Sequence, residues 1–262
     1  LNNLKVTGYY DVNENLAKEA ATFTETTFIE DLETIVKISD TLFLTVPDDL
    51  ITTVWNQMKD MSLEGKFICH CSGALSAGDA FPGIDKCGAF GYSVHPLFAV
   101  SDKYNSYKEL SHAYFVIEGD EKHREEIAGI FNNLGNEVRY IAAKDKVKYH
   151  CAAAVCSNHV VALIQESLDL MQECGFDEES ALKALAPIML GNMQHIAERG
   201  TVNSLTGPVE RADVKTVEKH LNCLDEKQQM IYRLLSEVLI SIGEKKNPGR
   251  DYGRLKHILG NE

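Results

Sequence analysis

Basic residues are scarce in this chain. Against 39 Asp and Glu the 262 residues include 26 Lys and Arg, a formal net charge of −13. So acidic a surface repels phosphate backbones and anionic headgroups, and neither nucleic acid nor membrane is an expected partner. A C-x-x-C pair is also missing. The seven cysteines, Cys69, Cys71, Cys87, Cys151, Cys156, Cys174 and Cys223, are odd in number and irregularly spaced. That pattern fits reduced thiols in a cytoplasmic protein better than a disulfide framework. Cys69-His70-Cys71 does not read as a metal site, because extended side chains alternate faces and no second ligand pair follows at a finger-like spacing. No apolar run approaches the about 20 residues of a membrane span, and no segment reads as a signal peptide. Repeats and low-complexity stretches are absent too. What remains is ordinary globular composition, 44% hydrophobic and 25% charged, in a length suited to one large domain or two average ones.

The first half alternates strand and helix. Leu4-Lys5-Val6-Thr7-Gly8-Tyr9-Tyr10 is β-rich and stops at Asp11. Helical patterns follow at about 15–21 and 31–36. Thr41-Leu42-Phe43-Leu44-Thr45-Val46 is a short apolar run ended by Pro47, the signature of a strand buried on both faces of a parallel sheet. A helix near 50–58, strands at 66–70, 88–94 and 113–118, a helix at 121–134 and a strand at 137–141 complete a series of β-α-β units. Such a series predicts an α/β fold with a doubly wound parallel sheet. The second half is helical: one long pattern over 146–174 stopped by Gly175, a helix from the cap Asp177 to Gly200, one from about Val214, and one from Glu226 to Gly243. The expected division is a nucleotide-type domain over 1–142 and an all-α domain over 143–262.

A doubly wound dinucleotide-binding sheet should carry G-x-G-x-x-G after its first strand, where pyrophosphate meets a helix N-terminus. The sequence has no such motif; Gly88-Ala89-Phe90-Gly91 has the wrong spacing and no helix behind it. Residues 4–10 therefore read as the second strand of such a sheet, and the expectation is that roughly 20 to 30 residues, one β-turn-α unit, precede the sequence in the intact protein. Asp11, at the end of that strand, is placed to bond the ribose hydroxyls of NAD or, equally, to cap the next helix.

Several motifs follow one another in order: Leu44-Thr45-Val46-Pro47-Asp48-Asp49, Cys69-His70-Cys71-Ser72-Gly73-Ala74-Leu75, Ser93-Val94-His95-Pro96-Leu97, Tyr149-His150-Cys151-Ala152 with Ser157-Asn158, and Leu205-Thr206-Gly207-Pro208-Val209-Glu210-Arg211-Ala212-Asp213. The series resembles Rossmann-like proteins with a C-terminal DUF2520 domain, relatives of 6-phosphogluconate dehydrogenase-like and ketopantoate reductase-like oxidoreductases. The resemblance implies an NAD(P)-dependent oxidoreductase, with NADP or NAD as cofactor and a homodimer formed through the helical domain. His95-Pro96 before a hydrophobic residue also resembles prephenate dehydrogenases. Related dehydrogenases place Lys-x-x-x-Asn on the first long helix, with the lysine as proton donor.

Read physically, Thr45, Val46 and Pro47 end a strand where doubly wound folds bind ligands, and Ser72-Gly73 ends the next with a hydroxyl and an open backbone. These, with Asp11, are the candidate cofactor residues. His95 is a candidate acid-base or carboxylate donor. On the long helix Lys148, His150 and Asn158 fall near one stripe, with Ser157 flanking, and polar groups on an alanine-rich helix are costly to bury without a partner or ligand. Lys148, His150 and His95 share the candidacy for the acid. Thr206, Arg211 and Asp213 form a turn before a helix, where Arg211 either holds a substrate carboxylate or bridges to Asp213 or Glu210. The leading expectation is hydride transfer between nicotinamide and a small oxo or hydroxy acid, ketopantoate among them, held between the two domains. The competing one is a non-enzymatic dinucleotide-binding module that dimerises through its helices.

Overall fold

A computed structural model describes residues 4–100 and 102–260. The chain falls into two compact units, up to residue 160 and from 161 onward, so the first helix beyond the expected boundary at 143 belongs with the sheet.

In the first unit α1 (Glu14–Phe23) and α2 (Leu32–Ile38) start on side-chain caps from Asn13 and Asp31, each satisfying an amide that the helix itself leaves open. Then come β1 (Thr41–Leu44), α3 (Asp48–Met58), β2 (Phe67–His70), the single turn α4 (Ala77–Ala80), β3 (Phe90–Leu97), β4 (Tyr114–Gly119), α5 (Arg124–Asn132), β5 (Glu137–Tyr140) and α6 (Lys146–Cys156). The strands form one sheet in the order β1-β2-β3-β4-β5. Neighbours on β2 show why it is buried on both sides: Ile68 packs into a cluster with Leu42, Ile51, Trp55, Met58 and Phe81, while Cys69 packs into another with Tyr92, Val94, Phe115, Ile127 and Phe131. Alternation along the strand sends consecutive side chains to opposite faces, and both faces are covered.

Two features of the sheet depart from expectation. β4 runs antiparallel to β3, while β1–β2, β2–β3 and β4–β5 are parallel. The β-rich segment at residues 4–10 joins no sheet; it makes an isolated parallel bridge from Tyr9 to Phe28, through Tyr9 N–H to Thr27 O and Ile29 N–H to Tyr9 O. β3 also extends past Val94 through His95 and Pro96, because β4 continues alongside it after β2 has ended.

The second unit is helical: most of α7 (Asn158–Glu173), then α8 (Glu178–Ser204), α9 (Val214–Cys223), α10 (Glu226–Lys246) and α11 (Gly253–Leu259). The single helix expected over 146–174 is broken at Ser157, whose ψ of −74° departs from helical geometry. The helix expected to stop at Gly200 instead kinks there, at φ +74°, and resumes to Ser204. Val217, Leu221, Ile240, Tyr252, Leu255 and Leu259 form the unit's core. Large apolar side chains lie outside it: Val161 and Leu190 are each 70% exposed, Met230 65%, Leu234 61% and Val238 58%. Residues 143–173, which take in α6 and α7 and the break between them, are long and apolar enough to cross a membrane by length and composition only.

Candidate functional site

Strand register brings three chain segments to one edge of the first unit. Leu44 pairs with His70 and His70 with Ser93, so Thr45-Val46-Pro47 and Cys71-Ser72-Gly73, at the carboxyl ends of β1 and β2, lie together with Val94-His95, where β3 runs on past its pairing with β2. Doubly wound sheets bind ligands at that edge. Thr45 and Pro47 are exposed, whereas Ser72 and Gly73 are buried.

Helix α6 closes this edge with one face. Lys146, Tyr149 and His150 stand at i, i+3 and i+4, the spacing that stacks side chains on a common stripe. Lys146 is 1% exposed. Its Nζ donates to the Ser72 carbonyl at 2.9 Å and to the Ser93 hydroxyl, which itself donates to the Ser72 carbonyl at 3.0 Å. The Ser72 hydroxyl donates to Asp48 Oδ2 at 2.5 Å and accepts from the Leu75 amide at 3.0 Å, tying the β2 turn to the start of α3. A buried ammonium needs nearby negative charge or acceptors to persist. Burial pulls the Lys146 pKa down to about 8, opposed by the carboxylates of Glu118 and Asp48. Glu118 is itself buried and pushed up by burial, against the Ala77 amide that it accepts at 2.8 Å.

Two histidines, His95 and His70, feel the charge of this ammonium, and a third, His150, stands beside His95. His95 Nδ1 lies 2.8 Å from the Tyr149 hydroxyl, and its ring meets the His150 ring edge-on at 6.1 Å. Burial, then the positive charge of Lys146 and His150, lowers His95 to about 4, so it is neutral near pH 7. His70 is fully buried; its Nδ1 accepts from the Ser72 amide at 3.1 Å, which leaves the proton on Nε2, and burial with the Lys146 charge lowers it to about 4 as well. Gly73 sits between His95 and His150: a Cβ there would fall 2.5 Å from His150 Cδ2 and 2.9 Å from His95 Nε2. A larger residue would have to push one of the two rings aside.

The structure thus brings together His95, His150, Ser72 and Gly73, with Thr45, Val46 and Pro47 at the same sheet edge. Other candidates in this unit have different surroundings. Lys148 is exposed, two positions from the lysine that occupies the site. Ser157 and Asn158, both exposed, bond to each other at the α6–α7 break, and Ser157 Oγ also donates to Ala153 O at 2.8 Å. Asp11 accepts from the Asn13 amide at 2.7 Å just ahead of α1, the turn-forming alternative. In the second unit Asp213 caps α9 through Thr216, which holds its carboxyl below the usual range. Arg211 and Thr206 are exposed beside it, and Glu210 is held by Asn247 and Arg250. Residues that the sequence reading passed over are Lys146, Tyr149, Ser93, Asp48 and Glu118. Two of them had a readable signal: Lys146 is four residues before His150, and Ser93 shares a strand face with His95 two residues on.

Residues 113–239 match the family DUF2520, a domain of unknown function. The match covers just under half of the chain. It begins just before β4 and ends within α10, so it supplies Lys146, Tyr149 and His150, while Ser72, Gly73 and His95 precede it. Among solved structures, protein TM1727 of Thermotoga maritima superposes with a TM-score of 0.73 at 26% identity, covering 90% of each chain. BF3122 of Bacteroides fragilis, provisionally assigned as an NADP oxidoreductase, gives 0.69 at 17% identity over 91% of this chain and 89% of its own. Pyrroline carboxylate reductase of Plasmodium falciparum, with NADP bound, gives 0.53 at 14% identity over 83% and 82%. These likenesses establish a Rossmann-type α/β unit followed by helices. The chain matches no curated protein.

Proposed function

We propose that this protein is an NAD(P)-dependent oxidoreductase acting on a small oxo or hydroxy acid, with ketopantoate as the first substrate to test. The observation that carries the reading is the buried Lys146 ammonium, pinned at the carboxyl ends of β2 and β3 beside two histidines. A fixed positive charge in a dry site stabilises negative charge that develops on a substrate oxygen. The shared fold with NADP-linked oxidoreductases supports the choice of cofactor.

The residues present fit one end of a dinucleotide. Exposed Thr45 and Pro47 and the buried Ser72-Gly73 backbone offer a ribose-nicotinamide surface, whereas α3 opens with Asp48 and Asp49, an acidic helix start unsuited to phosphate, and the sequence holds no glycine fingerprint. A bound, reduced nicotinamide would supply the hydride for the carbonyl carbon. His95 then holds the carbonyl oxygen by its ring N–H, Lys146 stabilises the alkoxide electrostatically, and exposed His150 delivers the proton that completes the hydroxyl. Asn158, Ser157, Thr206, Arg211 and Asp213 remain proposed substrate contacts, and Asp11 a proposed ribose contact. The exposed apolar surface of the helical unit supports a homodimer, and the seven free cysteines suit a cytoplasmic setting.

The test follows nicotinamide absorbance with the full-length protein, NADH and NADPH, and a panel of 2-oxo acids that includes ketopantoate. Turnover that falls by about 10²–10⁴-fold in His95→Ala supports the reading. Cofactor binding with no turnover across the panel would point to a regulatory dinucleotide-binding module, and no binding of either nucleotide would end the proposal.

A further inference from the structure

His95 has two ring nitrogens, and which one carries the proton decides whether the site offers a donor or an acceptor beside Gly73. Its Nδ1 faces the Tyr149 hydroxyl at 2.8 Å, the two rings standing edge-on at 85°. Its Nε2 faces Gly73, within 2.9 Å of where a Cβ would stand. A neutral imidazole has one N–H and one lone pair, and a phenol is a far better donor than acceptor. Among the described residues, His95 Nδ1 is the one hydrogen-bond partner of the Tyr149 hydroxyl, and it is an acceptor only when its own proton sits on Nε2.

We propose that Tyr149 is a positioning residue that donates to His95 Nδ1, fixing the tautomer that presents Nε2–H at Gly73. The inference deepens the oxidoreductase reading: it rests on that reading for the identity of the ligand, though not for the tautomer itself. The groups that face His95 are compatible with it. From α6 come Lys146 and His150, from the start of α3 comes Asp48, and the β2 turn contributes only the Gly73 backbone. Lys146 has no lone pair to offer while charged, and it is already engaged with Ser72 and Ser93. Burial keeps Tyr149 a phenol, pushed up to about 12, and His95 an uncharged imidazole across the neutral range. The pairing therefore does not change with pH between roughly 5 and 9.

The consequence is selectivity by ligand chemistry. A fixed Nε2–H donates to a carbonyl or carboxylate oxygen and leaves an ammonium, which has no lone pair, facing another donor, an unpaired arrangement that a dry site penalises. Tyr149 thus biases the site towards oxo and carboxylate groups without touching them.

The experiment is long-range ¹H–¹⁵N correlation on the histidine-labelled full-length protein at neutral pH, with His95 assigned from His95→Gln. The expected wild-type pattern has the proton on Nε2 and a bare Nδ1. In Tyr149→Phe, which keeps the ring and removes the donor, loss of one hydrogen bond lowers the tautomer ratio by roughly tenfold. A wild-type proton on Nδ1, or a Tyr149→Phe spectrum unchanged from wild type, would overturn the proposal. The wild-type spectrum decides even if the variant fails to fold. Nicotinamide turnover is measured on the same samples: its absence would remove the oxidoreductase reading and leave the tautomer result standing, whereas turnover with the wrong tautomer would remove only the role of Tyr149.

Discussion

At the scale of residues, Lys146 is the group with opposite demands from folding and from chemistry. Its pKa falls from 10.5 unfolded to about 8 folded. Because the folded state binds the proton less tightly, the penalty of burying the ammonium is fully present below pH 8. It is relieved as pH rises from about 8 to 10.5, where the unfolded chain keeps a proton that the folded one has lost. At about 1.4 kcal/mol per unit the relief is on the order of 3 kcal/mol. Chemistry runs the other way, since the charge that stabilises an oxyanion disappears over the same window. Activity should therefore decline above pH 8 while this group's contribution to stability rises. Lys146→Met should remove both trends, keep the fold, and lower kcat/KM by about 10²–10³-fold; comparing pH-rate profiles and melting temperatures of the two proteins checks it. Lys148→Met should stay within about twofold of wild type, as expected of an exposed side chain. If the two variants behave the other way round, the role belongs to the lysine favoured on sequence grounds. That earlier preference shows where residue-level reading stops. His95, His150 and the Ser72-Gly73 turn were legible because strand ends and histidines carry their own signals. Choosing among Lys144, Lys146 and Lys148 needs the rotation of α6 against the sheet, which spacing from Asn158 does not give once the helix breaks at Ser157.

At the scale of elements, apolar runs and caps located most strands and helices within a few residues, because burial on both faces and short polar caps act locally. Strand direction is not local: a run of β-branched and aromatic residues reads the same parallel or antiparallel, and only the sheet shows β4 reversed against β3. That reversal has a chemical requirement at its end. Gly119 closes β4 at φ +144°, and a Cβ on it would stand 2.2 Å from the Gly91 carbonyl oxygen and 2.9 Å from Tyr92 Cα. Both obstacles are backbone of the paired strand, so no side chain can swing away. Gly119→Ala should destabilise the protein by about 2–4 kcal/mol, combining a strained φ with an overpacked contact. Denaturant unfolding should show a lower midpoint with an unchanged slope. A midpoint within error of wild type would mean that β3 and β4 are not paired as described. Gly65, also at positive φ (+73°) but with nothing within 4 Å of its would-be Cβ, serves as the comparison: Gly65→Ala carries the backbone strain alone and should be the milder of the two.

At the scale of the whole molecule, the helical unit exposes more apolar surface than a monomer of this charge should carry. Val161, Ile188, Leu190, Met230, Leu234 and Val238, on α7, α8 and α10, are each 58–70% exposed, and a single exposed leucine is ordinary while this many large apolar side chains left outside one small core is not. Two partners suit such a surface, a bilayer or another copy of the chain. The net charge of −13 opposes an anionic bilayer, and Lys144, Asp145, Lys146 and Lys148 stand at the start of the apolar stretch, with Lys146 and the following turn committed to the sheet edge. A second copy is the better fit, its association driven by apolar burial, with screening by salt easing the repulsion between two acidic chains. Light scattering coupled to gel filtration should then give twice the 29.2 kDa chain mass, with the dimer strengthened by added salt. Leu190→Glu combined with Leu234→Glu should yield monomers whose far-ultraviolet circular dichroism is unchanged, since neither side chain belongs to the unit's core. A wild-type monomer at micromolar concentration would refute the dimer, and tight partition of the wild type into neutral lipid vesicles would assign the same surface to a bilayer.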